Sequence, residues 1–580
     1  MSAAHDRRIR FRIVFIGVVF SFFLTVIGTK AVYLQVVQSR WLTQRATHEY
    51  QRSYQISGNR GGIYDTNGNE LAISGDAISI AIDPGAVENP SASVAVLARA
   101  LDLDRAFVTD RIKDPDRSFV WLKRRVSPEE EARVKATDIK GLQYVRERCR
   151  YYPKRELAAH VLGFTGLDGT GLEGVEFYYD QILQGDRSKL QVLRDALGRR
   201  FDAEKGLAPS RDGGSHLDLT IDQTIQHIAE KELERAVVDS KASAGTVVIM
   251  NPRTGAVLAM ANFPSFNANS YGDYPSRVWR NRAVTDRFEP GSTMKIFSAA
   301  AAIETGGYTP SSAFYCENGA YRIGPNVIHD TKPHGWLTLR EIIKYSSNIG
   351  AVKLGENIGS QPLHHVLSQF GFGAKTGIDF PGETSGKLLS YKEWTLIDAG
   401  AIAFGHGVSV TALQLTAATA AIANGGVLMK PYVVKAIKDS RGRLIQQFSP
   451  QPVRQVVSAE TAGVVIDMMR AVVESEGTGV KASLIGYTAG GKTGTAQKVN
   501  DDGSYANDRF VASFVGFAPA SHPAVVILVV IDEPTESHYG GTVAAPAFRE
   551  MAQSILDYMN VPPDAERDNM IVSMNKEARG

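Results

Sequence analysis

Apolar and polar positions follow several different rhythms along this chain. From Ile13 to Thr29 (IVFIGVVFSFFLTVIGT) no side chain is charged, and Ala31 to Val37 extends the run past Lys30; such a stretch predicts a membrane-spanning helix. The pair Asn67-Gly68 separates Ile63-Tyr64 from Leu71-Ala72-Ile73, a hairpin signal because both turn residues tolerate positive φ. From about 85 to 140, apolar runs broken by charge (Val94 to Leu103, Pro128 to Ala136) predict helices of a small α+β insertion. Arg194 to Gly214 is charged, rich in glycine and poor in apolar residues, which suits an exposed crossing between domains. Thr246 to Met250 and Ala256 to Ala261 flank Asn251-Pro252-Arg253-Thr254-Gly255 as two buried strands of a hairpin. Phe510 to Ala518 and Ala524 to Asp532 predict two more strands. With a strand at Lys492 these make a five-stranded antiparallel sheet, and the intervening sequence reads as helical.

The candidate chemistry sits in Phe288 to Glu304 (FEPGSTMKIFSAAAAIE). Pro290-Gly291 turns the chain into an alanine-rich buried helix, placing Ser292 in its first turn and Lys295 one turn on. Positions i and i+3 share a face, so the amine can reach the hydroxyl, and the positive end of the helix favours negative charge at Oγ. That is a nucleophile with a base beside it. Alone the pair is a common coincidence. It is followed by Ser346-Ser347-Asn348, where one helical run (Leu339 to Tyr345) stops and another (Ile349 to Leu354) starts, and by Lys492-Thr493-Gly494-Thr495 in a run of small residues. By itself the first of these reads as a helix cap and the second as a surface turn.

The 580 residues are 43% hydrophobic, enough for two or three domains, and the net charge of +2 points to no particular partner. Local charge says more. Arg7, Arg8, Arg10 and Arg12 precede the apolar run, which predicts a cytoplasmic N-terminus and export of everything beyond residue 30. No A-x-A site follows closely, so a retained signal anchor is expected rather than a cleaved signal peptide. Cys149 and Cys316 lie far apart, and their pairing stays open. No metal site is expected, because no Cys or His cluster has ligand spacing. His160 has no partner acid or nucleophile nearby and is expected to cap or pack.

In order, S-x-x-K, S-x-N and K-T-G form the set found in penicillin-binding proteins and serine β-lactamases, and the sequence resembles a class B penicillin-binding protein of the septal type. Two further stretches support this. Asn59 to Ala72 (NRGGIYDTNGNELA) resembles the opening box of the non-catalytic pedestal in that class, with Thr66 where arginine is frequent; Arg150 to Glu176 resembles its second box, where Glu173 is expected to pair with Arg60. The resemblance implies an α+β protein: a cytoplasmic tail (1–12), a transmembrane anchor (13–37), a pedestal (38–214), a transpeptidase domain (215–563) with a five-stranded antiparallel sheet and an α-helical subdomain, and a disordered tail (564–580); the polar residues Tyr33 to Tyr50 read as a helical stem.

The roles it implies follow residue by residue. Ser292 is the nucleophile and Lys295 the base, its pKa lowered by the charge of Lys492. Ser346 relays a proton, and Asn348 holds the substrate backbone. Lys492, Thr493, Gly494 and Thr495 bind the terminal carboxylate. The amides of Ser292 and Thr495 form the oxyanion hole. His406, between Gly405 and Gly407, is assigned to packing, as is Tyr539 to Phe548. The implied reaction is serine acyl transfer from a D-Ala-D-Ala stem pentapeptide to an acceptor amine, without a cofactor, on the outer side of the cytoplasmic membrane. β-Lactams would be inhibitors, and a SEDS-family glycosyltransferase and divisome proteins the partners. An elongation role is the nearest alternative. A β-lactamase would need an E-x-x-L-N stretch between Ser346 and Lys492, and a penicillin sensor an H-E-x-x-H; neither is present.

Overall fold

The computed structural model describes residues 3–39, 41, 51–56, 59–184, 188–193, 213–323, 326–395, 397–500 and 504–565. Much of the expected stem, most of the expected crossing at 194–214 and nearly all of the expected tail lie outside these residues. The chain divides into two compact units, residues 1–58 with 185–213 and the remainder.

In the first unit Ala3–Val32 is α-helical and continues as a π-helical turn, Tyr33–Val37. Its Ile9–Val37 portion is long and apolar enough to cross a membrane. Side chains from Phe11 to Ile27 are exposed around the whole circumference, the pattern of a helix solvated by lipid. Gln51–Ile56 pairs antiparallel with Ser188–Leu193.

In the second unit the strand Glu70–Ile82 is central, paired antiparallel with Ile63–Tyr64, Val120–Val126 and Leu142–Tyr151. The expected hairpin forms: Gly68 takes φ 86°, and the Asp65 carboxylate accepts the amides of Asn67 and Asn69, both at 2.8 Å. Helices Pro90–Leu101, Arg105–Ile112 and Pro128–Lys135 supply Leu97, Leu101, Val108 and Val134 to a core with Ile80, Ile82 and Val120. A capping box of Ser127 and Glu130 starts the third helix.

Arg60 does not pair with Glu173. The helix Gly174–Tyr178 begins directly after that residue and turns Glu176 inward instead. Arg60 meets Glu176 and Asp180, each at 2.6 Å, and Arg150 meets the other Glu176 oxygen at 2.5 Å. His160 is buried, with Nε2 at 2.9 Å from the Val278 carbonyl and its ring edge-on to Phe266. Burial lowers its pKa to about 4, so it packs as a neutral ring.

His216–Leu219 runs parallel to Ile63–Tyr64 and antiparallel to Val434–Lys438, which extends the pedestal strands into a seven-stranded sheet. The other large sheet has the order Gly490–Val499, Tyr505–Ala518, Val525–Asp532, Ala244–Met250, Val257–Phe263, antiparallel throughout as expected. Both faces are buried, and period-two alternation assigns each side chain. Val247, Ile249 and Phe514 face the helices Gln223–Asp239 and Ala545–Tyr558. Val248, Met250 and Val515 face a helical layer that includes Lys295–Glu304, Ala412–Ala423 and Ala459–Val473. Each such Val, Ile or Phe contributes about 1.5–3 kcal/mol. Cys149 and Cys316 are both free thiols.

Candidate active site

Gly490–Val499 is an edge strand, paired on one side only, and the helical layer meets the sheet there. The Ser292 turn, Gly291–Met294, is a 3₁₀ turn leading directly into the Lys295–Glu304 helix. Gly291 has φ 53°, and a Cβ on it would lie 2.7 Å from the Thr495 carbonyl. A Cβ on Gly405 would lie 2.0 Å from the Gly291 carbonyl. The nucleophile's turn is thus held between two backbones that only glycine allows so close. Thr338 and Glu341 form a capping box for Leu339–Tyr345, and Ser346 ends that helix at φ 60°, a sparsely populated conformation that aims its side chain out of the helical path. Ser347 takes the cap of Asn348–Ile358, which leaves Ser346 and Asn348 available for other contacts.

The three blocks converge. Lys295 Nζ donates to the Ser346 carbonyl at 2.6 Å and to Asn348 Oδ1 at 2.8 Å, and lies 3.2 Å from Ser346 Oγ. Lys492 Nζ is 2.8 Å from the same hydroxyl. Asn348 Nδ2 donates to the His329 carbonyl at 2.9 Å. Ser292, Ser346, Asn348, Thr493 and Thr495 line a single cavity of about 800 Å³. Among the described residues Ser292 Oγ makes no hydrogen bond; it faces the cavity while Lys295 spends its donors on the Ser346–Asn348 loop. Such contacts can tighten once substrate is present.

Both amines are fully buried, and two ammonium groups on one hydroxyl would repel. Burial lowers the Lys295 pKa to about 7, opposed by the charge of Asp330. Burial also lowers Lys492 well below its ordinary value, with the charge of Lys295 adding to the effect. Desolvation is the leading cause at both lysines, and the repulsion between the two ammonium groups is mutual, each charge disfavouring the other. A neutral amine next to a hydroxyl can accept a proton.

The chain is similar to known proteins over most of its length. Residues 245–553 match the penicillin binding protein transpeptidase domain, and residues 55–217 the penicillin-binding protein dimerisation domain. The chain is 35% identical to the probable peptidoglycan D,D-transpeptidase PenA of Neisseria gonorrhoeae, covering 95% of this chain and 93% of that protein. It is also 35% identical to the peptidoglycan D,D-transpeptidase FtsI of Escherichia coli, covering 92% and 90%. The crystal structure of penicillin-binding protein 3 from Mycobacterium tuberculosis complexed with aztreonam superposes with a TM-score of 0.70 at 29% identity, over 88% of this chain and 98% of that one. The chain belongs to the class B penicillin-binding proteins. It is a peptidoglycan D,D-transpeptidase.

In this penicillin-binding protein the tertiary structure adds residues that no motif announces. The Asp330 carboxylate accepts Ser347 Oγ at 2.6 Å and the amides of Asn348 and Ile349 at 2.5 and 3.0 Å. It thereby anchors the start of a helix whose positive end favours an acid. Glu289 accepts the Gly407 amide at 2.9 Å and the Tyr505 hydroxyl at 3.1 Å. Thr478 meets Thr493 Oγ1 at 3.2 Å. His406, assigned to packing from sequence, packs between Phe404 and Tyr505 and also lines the cavity. Burial lowers its pKa to about 4.

Proposed function

We propose that Ser292 forms an acyl-enzyme with the penultimate D-Ala of a stem pentapeptide and passes it to an amine on a neighbouring strand, in septal cell-wall synthesis. The observation that carries this reading is the convergence of Lys295, Ser346, Asn348 and Lys492 on the cavity that Ser292 faces. Neutral Lys295 takes the Oγ proton as Oγ bonds to the carbonyl carbon. The amides of Ser292 and Thr495 hold the developing oxyanion. The C–N bond breaks as Ser346 hands a proton to the departing D-Ala nitrogen and is resupplied from the lysines. The acceptor amine then attacks the ester and loses its proton through the same relay, which returns a proton to Ser292 Oγ. The D-Ala carboxylate sits against Lys492, Thr493, Gly494 and Thr495, and its charge favours the protonated form of Lys492.

β-Lactams, which mimic the dipeptide, acylate the same serine; binding of aztreonam by the Mycobacterium tuberculosis relative supports that reading. The test is labelling with a fluorescent penicillin: the wild type labels covalently and Ser292→Ala does not. Labelling of the alanine variant would remove the assignment of the nucleophile. The arginines before the apolar helix favour a cytoplasmic N-terminus with the catalytic domain outside; the family resemblance supports a SEDS-family glycosyltransferase and divisome proteins as membrane partners. Similarity to FtsI favours the septal role. Depletion then gives filaments, whereas round cells would point to elongation.

A further inference from the structure

The donor peptide's course is set by the residues at its two ends. Its terminal carboxylate lies at Lys492 and Thr493 and its reacting carbonyl at Ser292 and Thr495. The rest of the stem therefore continues along the free edge of Gly490–Val499 toward Gln497, about 13 Å from Thr493 at strand spacing. Two ladders of rings line the cavity at that end. In one, His406 lies between Phe404 and Tyr505, with centroids 4.7 and 5.2 Å away; in the other, His538 lies between Phe510 and Tyr539, at 4.4 and 4.3 Å. Phe510 is the register partner of Gln497.

Behind the first ladder stands Glu289, whose side chain is only 12% exposed. Its carboxylate acts only as acceptor, from the Gly407 amide and the Tyr505 hydroxyl, with His406 Nδ1 at 3.9 Å. The lining residues of this arm, His406, Gln497, Tyr505, Phe510, His538 and Tyr539, include no lysine or arginine. Lys481 lines the cavity next to Val480 and Thr478, and Thr478 bonds Thr493 at the carboxylate end.

We infer that this arm is a subsite for a cationic side chain of the donor stem, an ammonium held on the ring faces and attracted by Glu289. π-Faces and a desolvated carboxylate both favour a cation. The chemistry of cross-linking supplies one. A polymer whose strands serve as both donor and acceptor carries the acceptor amine on every stem, and D-Ala-D-Ala itself has no side-chain amine. The amine thus falls within the few residues that the arm holds.

The inference rests on the acyl-transfer reading above, and one experiment separates the two. Two thioester acyl donors ending in a D-Ala mimic, one bearing a side-chain ammonium and the other its N-acetylated neutral form, are compared by acylation rate on the full-length enzyme in detergent. The wild type is expected to prefer the ammonium donor about five-fold, with the ratio falling toward one in high salt. Glu289→Gln brings the ratio near one at low salt, and Tyr505→Phe lowers it partially. The ratio is internal to each variant, so loss of overall activity does not mimic the effect. A wild-type ratio of one, or a preference that survives both Glu289→Gln and high salt, overturns the subsite and leaves Ser292 chemistry standing. Failure of both donors to acylate the wild type overturns both readings.

Discussion

At the scale of single residues, the proposed mechanism makes the protonation of Lys295 the controlling equilibrium. With its pKa lowered to about 7, the amine is charged and unable to accept a proton below that pH and neutral above it. Acylation by a β-lactam is expected to rise as pH increases through about 7 and then level off, which stopped-flow measurement across pH 5–9 checks. Asp330 attracts the ammonium form and so holds that pKa up. Asp330→Asn removes the attraction, moving the acid limb of the profile to lower pH. It also weakens three hydrogen bonds to the Ser347–Ile349 segment, and the plateau rate is expected to fall about ten-fold, equivalent to roughly 1.4 kcal/mol. A profile that keeps its position would show that Asp330 acts on the loop alone. The sequence made Ser292, Lys295 and the two later blocks legible because together they match the motif set of a known family. Asp330 and Glu289 carry no spacing pattern, since each acts through elements brought beside it only by folding.

At the scale of elements, two contacts hold the parts of the site and the pedestal in place. Gly405 sits at φ 94° with its Cα against the Gly291 backbone. Gly405→Ala adds both a clash and a left-handed strain, and is expected to lower Tm by several degrees and to slow acylation at temperatures where the protein remains folded. In the pedestal, Glu176 is fully buried between Arg60 and Arg150. Glu176→Gln leaves two buried guanidinium groups with one carboxylate, Asp180, and is expected to cost roughly 3–5 kcal/mol, measurable by denaturant unfolding. The sequence placed an acid in this box but chose Glu173. Only the helix Gly174–Tyr178 decides which carboxylate turns inward. The strands of the catalytic sheet were easier to read, because long apolar runs bounded by turns have few other uses.

At the scale of the whole molecule, the chain carries an apolar N-terminal helix and a transpeptidase domain. Removal of residues 1–37 is expected to move the protein from the membrane fraction to the soluble fraction, as centrifugation after lysis would record. Retention in the membrane would call for a second attachment. The sequence alone determined the inventory: an uncharged span, apolar strands, and a serine, two lysines and an asparagine in the order found in penicillin-binding proteins. Those features depend on residue type and local spacing, which are written directly into the chain. Only the tertiary structure decided that Lys295 and Lys492 share one hydroxyl, that Asp330 opposes the loss of charge at Lys295, and that Glu289 stands behind a wall of rings. Desolvation and Coulomb energy depend on burial and on distances of a few ångströms between segments far apart in sequence, and those quantities exist only after the chain has folded.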